Sequence, residues 1–212
     1  MAFTDQDIDV MDSIIKRYPR SRSAIMPLLH YVQSRDGFIT NDGIEIIAKM
    51  LDLATAEVSA VSTFYTQYKR KPVGEYHVGV CTNTLCAVMG GDAIFAGLKE
   101  HLGVENDGVT DDGKVSLEHI ECNAACDYAP VVMANWEFYD NQTVQSAKDL
   151  VDAMRAGNPP APTRGPDSLP TWKENSAVLA GLNDGHAHEG VQAGEPSLLG
   201  LKIVKEQKGA KA

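Results

Sequence analysis

The sequence predicts an α/β (α+β) protein in three parts: an N-terminal helical bundle over 1–70, a small α/β domain over 71–157, and a Pro/Gly-rich extended tail over 158–212. Three observations predict this. Apolar residues recur at helical spacing through the first part. Alternating apolar and polar runs enclose a helical segment in the second, a strand–helix–strand order. Six of the ten prolines, with seven glycines, fall in the third without sustained periodicity.

In the first part, Ile8, Met11, Ile15 and Tyr18 form one apolar stripe, predicting a helix over 5–18 that Pro19 stops. A second helix is expected over 23–35, capped by Ser21 or Ser23, with Pro27 near its first turn and Asp36-Gly37 at its end. Thr40 is placed to cap a third helix, with Ile44, Ile47 and Leu51 on one face. Thr55 is placed to cap a fourth, carrying Val58, Val61 and Tyr65. KRKPVG at 69–74 then breaks the pattern.

In EYHVGVC, Tyr76, Val78 and Val80 alternate with His77, Gly79 and Cys81, the period of a strand. GDAIFAGLKEHLG follows as a helix, with Ile94, Phe95, Leu98 and Leu102 on one side and Gly103 at its stop. Residues 104–114 are turn-rich. VSLEHIEC reads as a second strand, VVMANW as a third, and Glu137–Tyr139 as part of a short fourth. Thr143 starts a last helix bearing Val144, Ala147, Val151 and Met154.

The composition is that of a globular protein, 43% hydrophobic and 23% charged. No apolar run approaches the ~18 residues of a membrane span, and MAFTDQDIDV has neither a signal-peptide core nor transit-peptide bias, so a cytosolic chain is expected. The net charge of -10 is concentrated in the middle part, where 14 acidic residues face 5 basic ones. Such a surface repels nucleic acid and anionic lipid, which argues against both as partners. No glycine-rich nucleotide fingerprint or P-loop occurs, so no nucleotide site is expected in the chain itself.

All four cysteines lie in two pairs, C-x4-C at Cys81 and Cys86 and C-x3-C at Cys122 and Cys126. Each pair follows a predicted strand. The 35 residues between the pairs hold one helix and one strand, the length of a crossover that returns a parallel strand to its neighbour. The two loops would then meet. In a reducing compartment such pairs hold metal or do redox chemistry rather than form disulfides. A redox dithiol would use C-x-x-C, which is absent, and structural zinc favours tighter knuckles. The spacing leaves a 2Fe–2S cluster first and zinc second.

CTNTLC followed by a glycine pair, then EC-x3-C-x2-AP, resembles the thioredoxin-like 2Fe–2S subunits of NADH:quinone oxidoreductases, the 24 kDa or E subunits of respiratory complex I. YPRSRSAIMPLLHYVQ (18–33), EVSAVSTFYTQY (57–68) and PVGEYHV (72–78) fit the same family, and the resemblance covers about 10–157. It implies a helical domain followed by a thioredoxin-like 2Fe–2S ferredoxin domain. It implies one 2Fe–2S cluster on Cys81, Cys86, Cys122 and Cys126. It also implies docking on a flavoprotein subunit that binds NADH and FMN, among other peripheral-arm subunits. The chain would be an electron carrier without a catalytic site of its own, in a proton-translocating complex on the cytoplasmic side of a bacterial membrane, without inserting into it. The equivalent subunit of an NAD-linked hydrogenase or formate dehydrogenase is the alternative within the family. A zinc-binding interaction module and a free-standing ferredoxin lie outside it.

The chain departs from the family in one loop. Many members have Leu-Gly directly after the third cysteine, where this chain has Asn123-Ala124. Ala124 disfavours a positive φ if that loop needs one. Asp127 sets a carboxylate beside a thiolate and is expected to lower the reduction potential. Other candidates have plainer readings. His77 and His119 are expected as core or surface histidines rather than Rieske-type ligands. His186, His188 and Glu189 are expected as solvated tail residues, and Asp111-Asp112-Gly113 as a turn with too few oxygens for calcium. Phe64, Tyr65 and Tyr68 are expected to pack between domains or to form a docking surface.

Overall fold

The computed structural model describes residues 2–186, 188–190 and 194–209. In chain order the elements are α1 (Asp5–Ile15), α2 (Ile25–Asp36), α3 (Asn41–Leu51), α4 (Thr55–Phe64), β1 (Tyr76–Cys81), α5 (Thr84–Val88), α6 (Gly91–Leu102), β2 (Gly108–Val109), β3 (Val115–Ile120), β4 (Val132–Ala134), β5 (Glu137–Tyr139), α7 (Val144–Arg155), α8 (Trp172–Leu179) and α9 (Glu195–Gly209). None of these helices is long and apolar enough to cross a membrane. The chain forms two compact units, one of residues up to 75 with 170–185, the other of 76–169 with the remainder of the tail.

The first unit is helical. Thr4 caps α1, accepting from the Asp7 N–H at 3.2 Å while the Asp7 carboxylate accepts from the Thr4 N–H at 2.8 Å. Helix α1 ends at Ile15, short of the expected Tyr18. Helix α2 enters through a 3-10 turn at Ser21–Ala24 and is not capped by either serine. It stops at Gly37, whose φ of 86° lets its N–H reach the Gln33 carbonyl at 2.8 Å. Thr40 caps α3, accepting from the Gly43 N–H at 3.1 Å. The expected Thr55 cap is corrected: Thr55 is the first helical residue of α4. The preceding Ala54 has no side-chain acceptor, and the Glu57 carboxylate accepts its N–H at 3.1 Å instead. Met11, Ile14, Leu28, Leu29, Ile47 and Val58 make the buried core. Tyr68 is buried against His30, whereas Phe64 is 77% exposed.

The tail differs from its expected extended form. Residues 172–179 are helix α8, which packs on α2 in this unit. Trp172 is 2% exposed, and its indole N–H donates to the Gly37 carbonyl at 2.7 Å. Eight residues are too few to show a sustained helical period. The signal that was present is the capping pair, with Thr171 accepting from the Glu174 N–H and the Glu174 carboxylate accepting from the Thr171 N–H at 2.8 Å.

The second unit holds a mixed sheet of order β2-β3-β1-β4-β5. Strands β1 and β3 run parallel, and every other pairing is antiparallel. The two-residue β2 lies in the stretch expected to be only turns. Tyr76, Val78 and Val80 share a core with Ile94 and Leu98 of α6 and with Leu150, Val151 and Met154 of α7. The alternate residues of β1 point to the other face, where Cys81 clusters with Ile120, Val131 and Met133. Beyond α7 the chain runs along β5: the Thr163 N–H donates to the Phe138 carbonyl at 2.8 Å. Arg164 binds the buried Asp140 carboxylate through two N–H donors, both at 2.8 Å, and its guanidinium lies 4.2 Å from the Phe138 ring centre and 5.0 Å from that of Tyr128.

Each unit has a polar contact whose removal can be read in unfolding. Arg164→Met keeps an apolar stem over Phe138 but leaves Asp140 without its cation, so denaturant unfolding should show a loss of about 3 kcal/mol. Burial holds the His30 imidazole down to about 4, opposed by a hydrogen bond with Gln67. Between that value and an unfolded value near 6.5, the unfolded chain binds a proton that the folded chain does not. Stability is therefore complete above about pH 6.5 and falls as the pH drops toward 4. This group should remove about 2 kcal/mol between pH 7 and pH 5, and unfolding of His30→Phe at the two pH values should lack that difference.

Candidate metal centre

Cys81 is the last residue of β1 and pairs in register with Ile120, the last residue of β3. Because the strands are parallel neighbours, the loops that follow them leave the same edge of the sheet side by side. The first loop turns at once into α5, which carries Cys86 inward; Cys81 and Cys86 are each 3% exposed. The short helix α5 is not foreshadowed in the sequence, since five residues show no period. Gly91 opens α6 against this loop, and a Cβ there would stand 2.5 Å from the Cys81 carbonyl oxygen. The second loop carries Cys122 two residues past β3 and Cys126 at the start of a 3-10 turn, Cys126–Tyr128. Both are exposed, and none of the four cysteines is in a disulfide. The Ala129–Pro130 peptide that follows is cis.

The thiols are gathered as two pairs. Cys86 is hydrogen-bonded to Cys81, and Cys126 to Cys122, while Cys126 also feels the charge of Cys81. Burial raises the Cys86 thiol, a backbone hydrogen bond from Val131 opposes this, and the neighbouring Cys81 and Cys126 add to the rise. Cys126 is raised as well, by desolvation first, then by Cys122, Cys81 and Asp127. The thiolates of Cys86 and Cys126 are thus costly beside their neighbours until a cation takes up the charge.

The donor set suits a two-iron cluster. A single ion needs its ligands converging on one point, whereas two irons take two thiolates each. The Ala124 N–H reaches Cys122 Sγ at 3.4 Å, and the Asn83 side chain ties the first loop to the second strand by donating to the Ile120 carbonyl at 3.3 Å. The Ala124 bond depends on a φ of +54°.

The histidines lie elsewhere. His77 is buried between Ser116 Oγ at 3.0 Å and the Glu118 carboxylate at 2.9 Å, and His119 lies edge-on to Phe95. His186 pairs with Glu189 at 2.6 Å. Asp112 works within its turn, accepting from the Lys114 N–H at 3.0 Å and from Arg155 at 2.8 Å.

The family described as thioredoxin-like [2Fe-2S] ferredoxin matches residues 11–155. The chain belongs to that family. It is 59% identical over 194 residues to the E subunit of NADH-quinone oxidoreductase from Mycobacterium tuberculosis, covering 91% of this chain and 77% of the relative. It is 40% identical over 157 residues to the protein of the same name from Rickettsia bellii, covering 73% and 94%. The fold also resembles a chain of an NAD+-reducing [NiFe]-hydrogenase, at a TM-score of 0.57 and 17% identity, over 64% of this chain and 23% of that one. Within the Cys122–Cys126 loop of this thioredoxin-like [2Fe-2S] ferredoxin, Ala124 is a non-glycine residue at a left-handed position. Ala124→Gly should remove that strain and raise stability by about 1 kcal/mol, read as an increased midpoint in thermal or denaturant unfolding.

Proposed function

We propose that this chain is the electron-transfer subunit of an NADH:quinone oxidoreductase, holding one 2Fe–2S cluster on Cys81, Cys86, Cys122 and Cys126. The observation that carries the reading is the placement of two cysteine pairs in the loops that leave adjacent ends of two parallel strands. A cluster of this kind supplies the uptake and release of one electron. The chain's own residues do the rest. Cys81 and Cys86 anchor the centre in the apolar cluster under the sheet. Cys122 and Cys126 keep the other side at the surface, where a redox partner can approach.

Leu85, Val88 and Met89 flank Cys86 and are exposed, an apolar patch that suits a permanently docked protein better than a shuttling one. The partner is a flavoprotein that takes hydride from NADH onto FMN and exchanges single electrons with this chain. The complex works on the cytoplasmic side of a bacterial membrane. The 59% identity to an E subunit of NADH-quinone oxidoreductase supports this reading over the equivalent subunit of a hydrogenase or formate dehydrogenase.

Iron, zinc and acid-labile sulfide should be measured on the purified chain, with EPR spectra before and after dithionite. About two iron and two sulfide per chain, with a spin-½ signal appearing only on reduction, are expected. Stoichiometric zinc and no signal, in protein made with adequate iron, would instead make the site structural. Co-purification with quinone-module subunits, as well as with a flavoprotein, separates the quinone reductase from a hydrogenase.

A further inference from the structure

The loop between Cys122 and Cys126 contains a buried polar group, the side-chain nitrogen of Asn123, with no hydrogen-bond partner among the described residues. A buried amide N–H without a partner is costly and rare in folded proteins. Its neighbours are engaged. The Ala124 N–H is directed to Cys122 Sγ, and Asn83, the asparagine of the first cysteine loop, donates its amide to the Ile120 carbonyl. Asn123 stands between Cys122 and Ala124, one residue from a cluster thiolate. The acceptor that arrives with the cluster is sulfur, as thiolate or as bridging sulfide.

We propose that the Asn123 side-chain amide donates a hydrogen bond to a sulfur of the cluster and raises its reduction potential above that set by an apolar residue at the same position. This inference rests on the cluster reading above. Reduction adds one electron to the cluster and makes its sulfurs more negative, and no proton is transferred. A hydrogen bond to the more negative acceptor is the stronger one, so the donor favours the reduced state. Hydrogen bonds to cluster sulfurs are among the factors that set such potentials. Asn123 therefore opposes Asp127, whose carboxylate four residues later disfavours added negative charge. A leucine at the same position would provide no such donor.

The test is a redox titration of the 2Fe–2S EPR signal in the full chain, with ENDOR spectra of the reduced state in H2O and in D2O. Asn123→Leu should retain two iron and two sulfide per chain. Its reduction equilibrium should shift about tenfold toward the oxidised state, ~59 mV for a one-electron couple. It should also lose an exchangeable-proton coupling seen in the unsubstituted chain. If the leucine variant loads poorly, Asn123→Asp keeps the shape of the side chain while removing the donor; its added charge lowers the potential by itself, so the loss of the exchangeable-proton coupling is the readout for that variant. A loaded variant with unchanged potential and unchanged couplings would overturn the inference and leave the cluster reading standing. An unsubstituted chain that binds no iron would overturn both.

Discussion

The parallel pairing of β1 with β3 is the constraint on which the centre depends. Parallel strands end at the same edge of a sheet, and the register sets Cys81 opposite Ile120. Two loops far apart in sequence thereby start as neighbours, each already carrying a cysteine at or just past the strand end. A crossover long enough to make the strands parallel is required, and α6 provides it, pressed close to the Cys81 carbonyl where only glycine fits at position 91. An antiparallel return would have placed the second pair at the opposite end of the sheet. The helices α6 and α7 lock the arrangement by burying the alternate face of the same strands.

The two loops do unequal work. The first buries its two cysteines: α5 folds Cys86 beneath the sheet, and the Val131 backbone bond helps to offset the cost of a thiolate there. The second is at the surface and uses local strain. Ala124 takes a left-handed conformation so that its N–H can face Cys122. The same loop holds the side-chain amide of Asn123 and the carboxylate of Asp127 within a few residues of the cysteines.

The segment beyond α7 braces the same unit. Arg164 closes on Asp140 and lies over Phe138 and Tyr128, so the turn that begins at Cys126 is held from the side by a residue distant in sequence. Helix α9 also approaches that turn and exposes Leu198, Leu199 and Leu201. What composition marks as unpatterned chain is therefore used as support for the cysteine loops.

Residues with strictly local causes were legible from sequence alone. The helical start of the chain with Met11 on its buried face, the Thr40 and Thr143 caps, the alternation of β1 and the stop at Gly103 each depend on neighbours a few positions away, whereas the buried Ile14 took the place the stripe gave to Ile15 and Tyr18. The cysteine spacing and the flanking motifs were enough to point to a candidate ligand set and a family. Short elements were not legible, because a five-residue α5, an eight-residue α8 and a two-residue β2 contain too few repeats to show a period. Burial of one thiol pair and exposure of the other, the closure of Arg164 on Asp140, and the isolation of the Asn123 amide were decided only by tertiary structure. Each of these depends on which distant atoms arrive at the same place, and that is a property of packing rather than of local pattern.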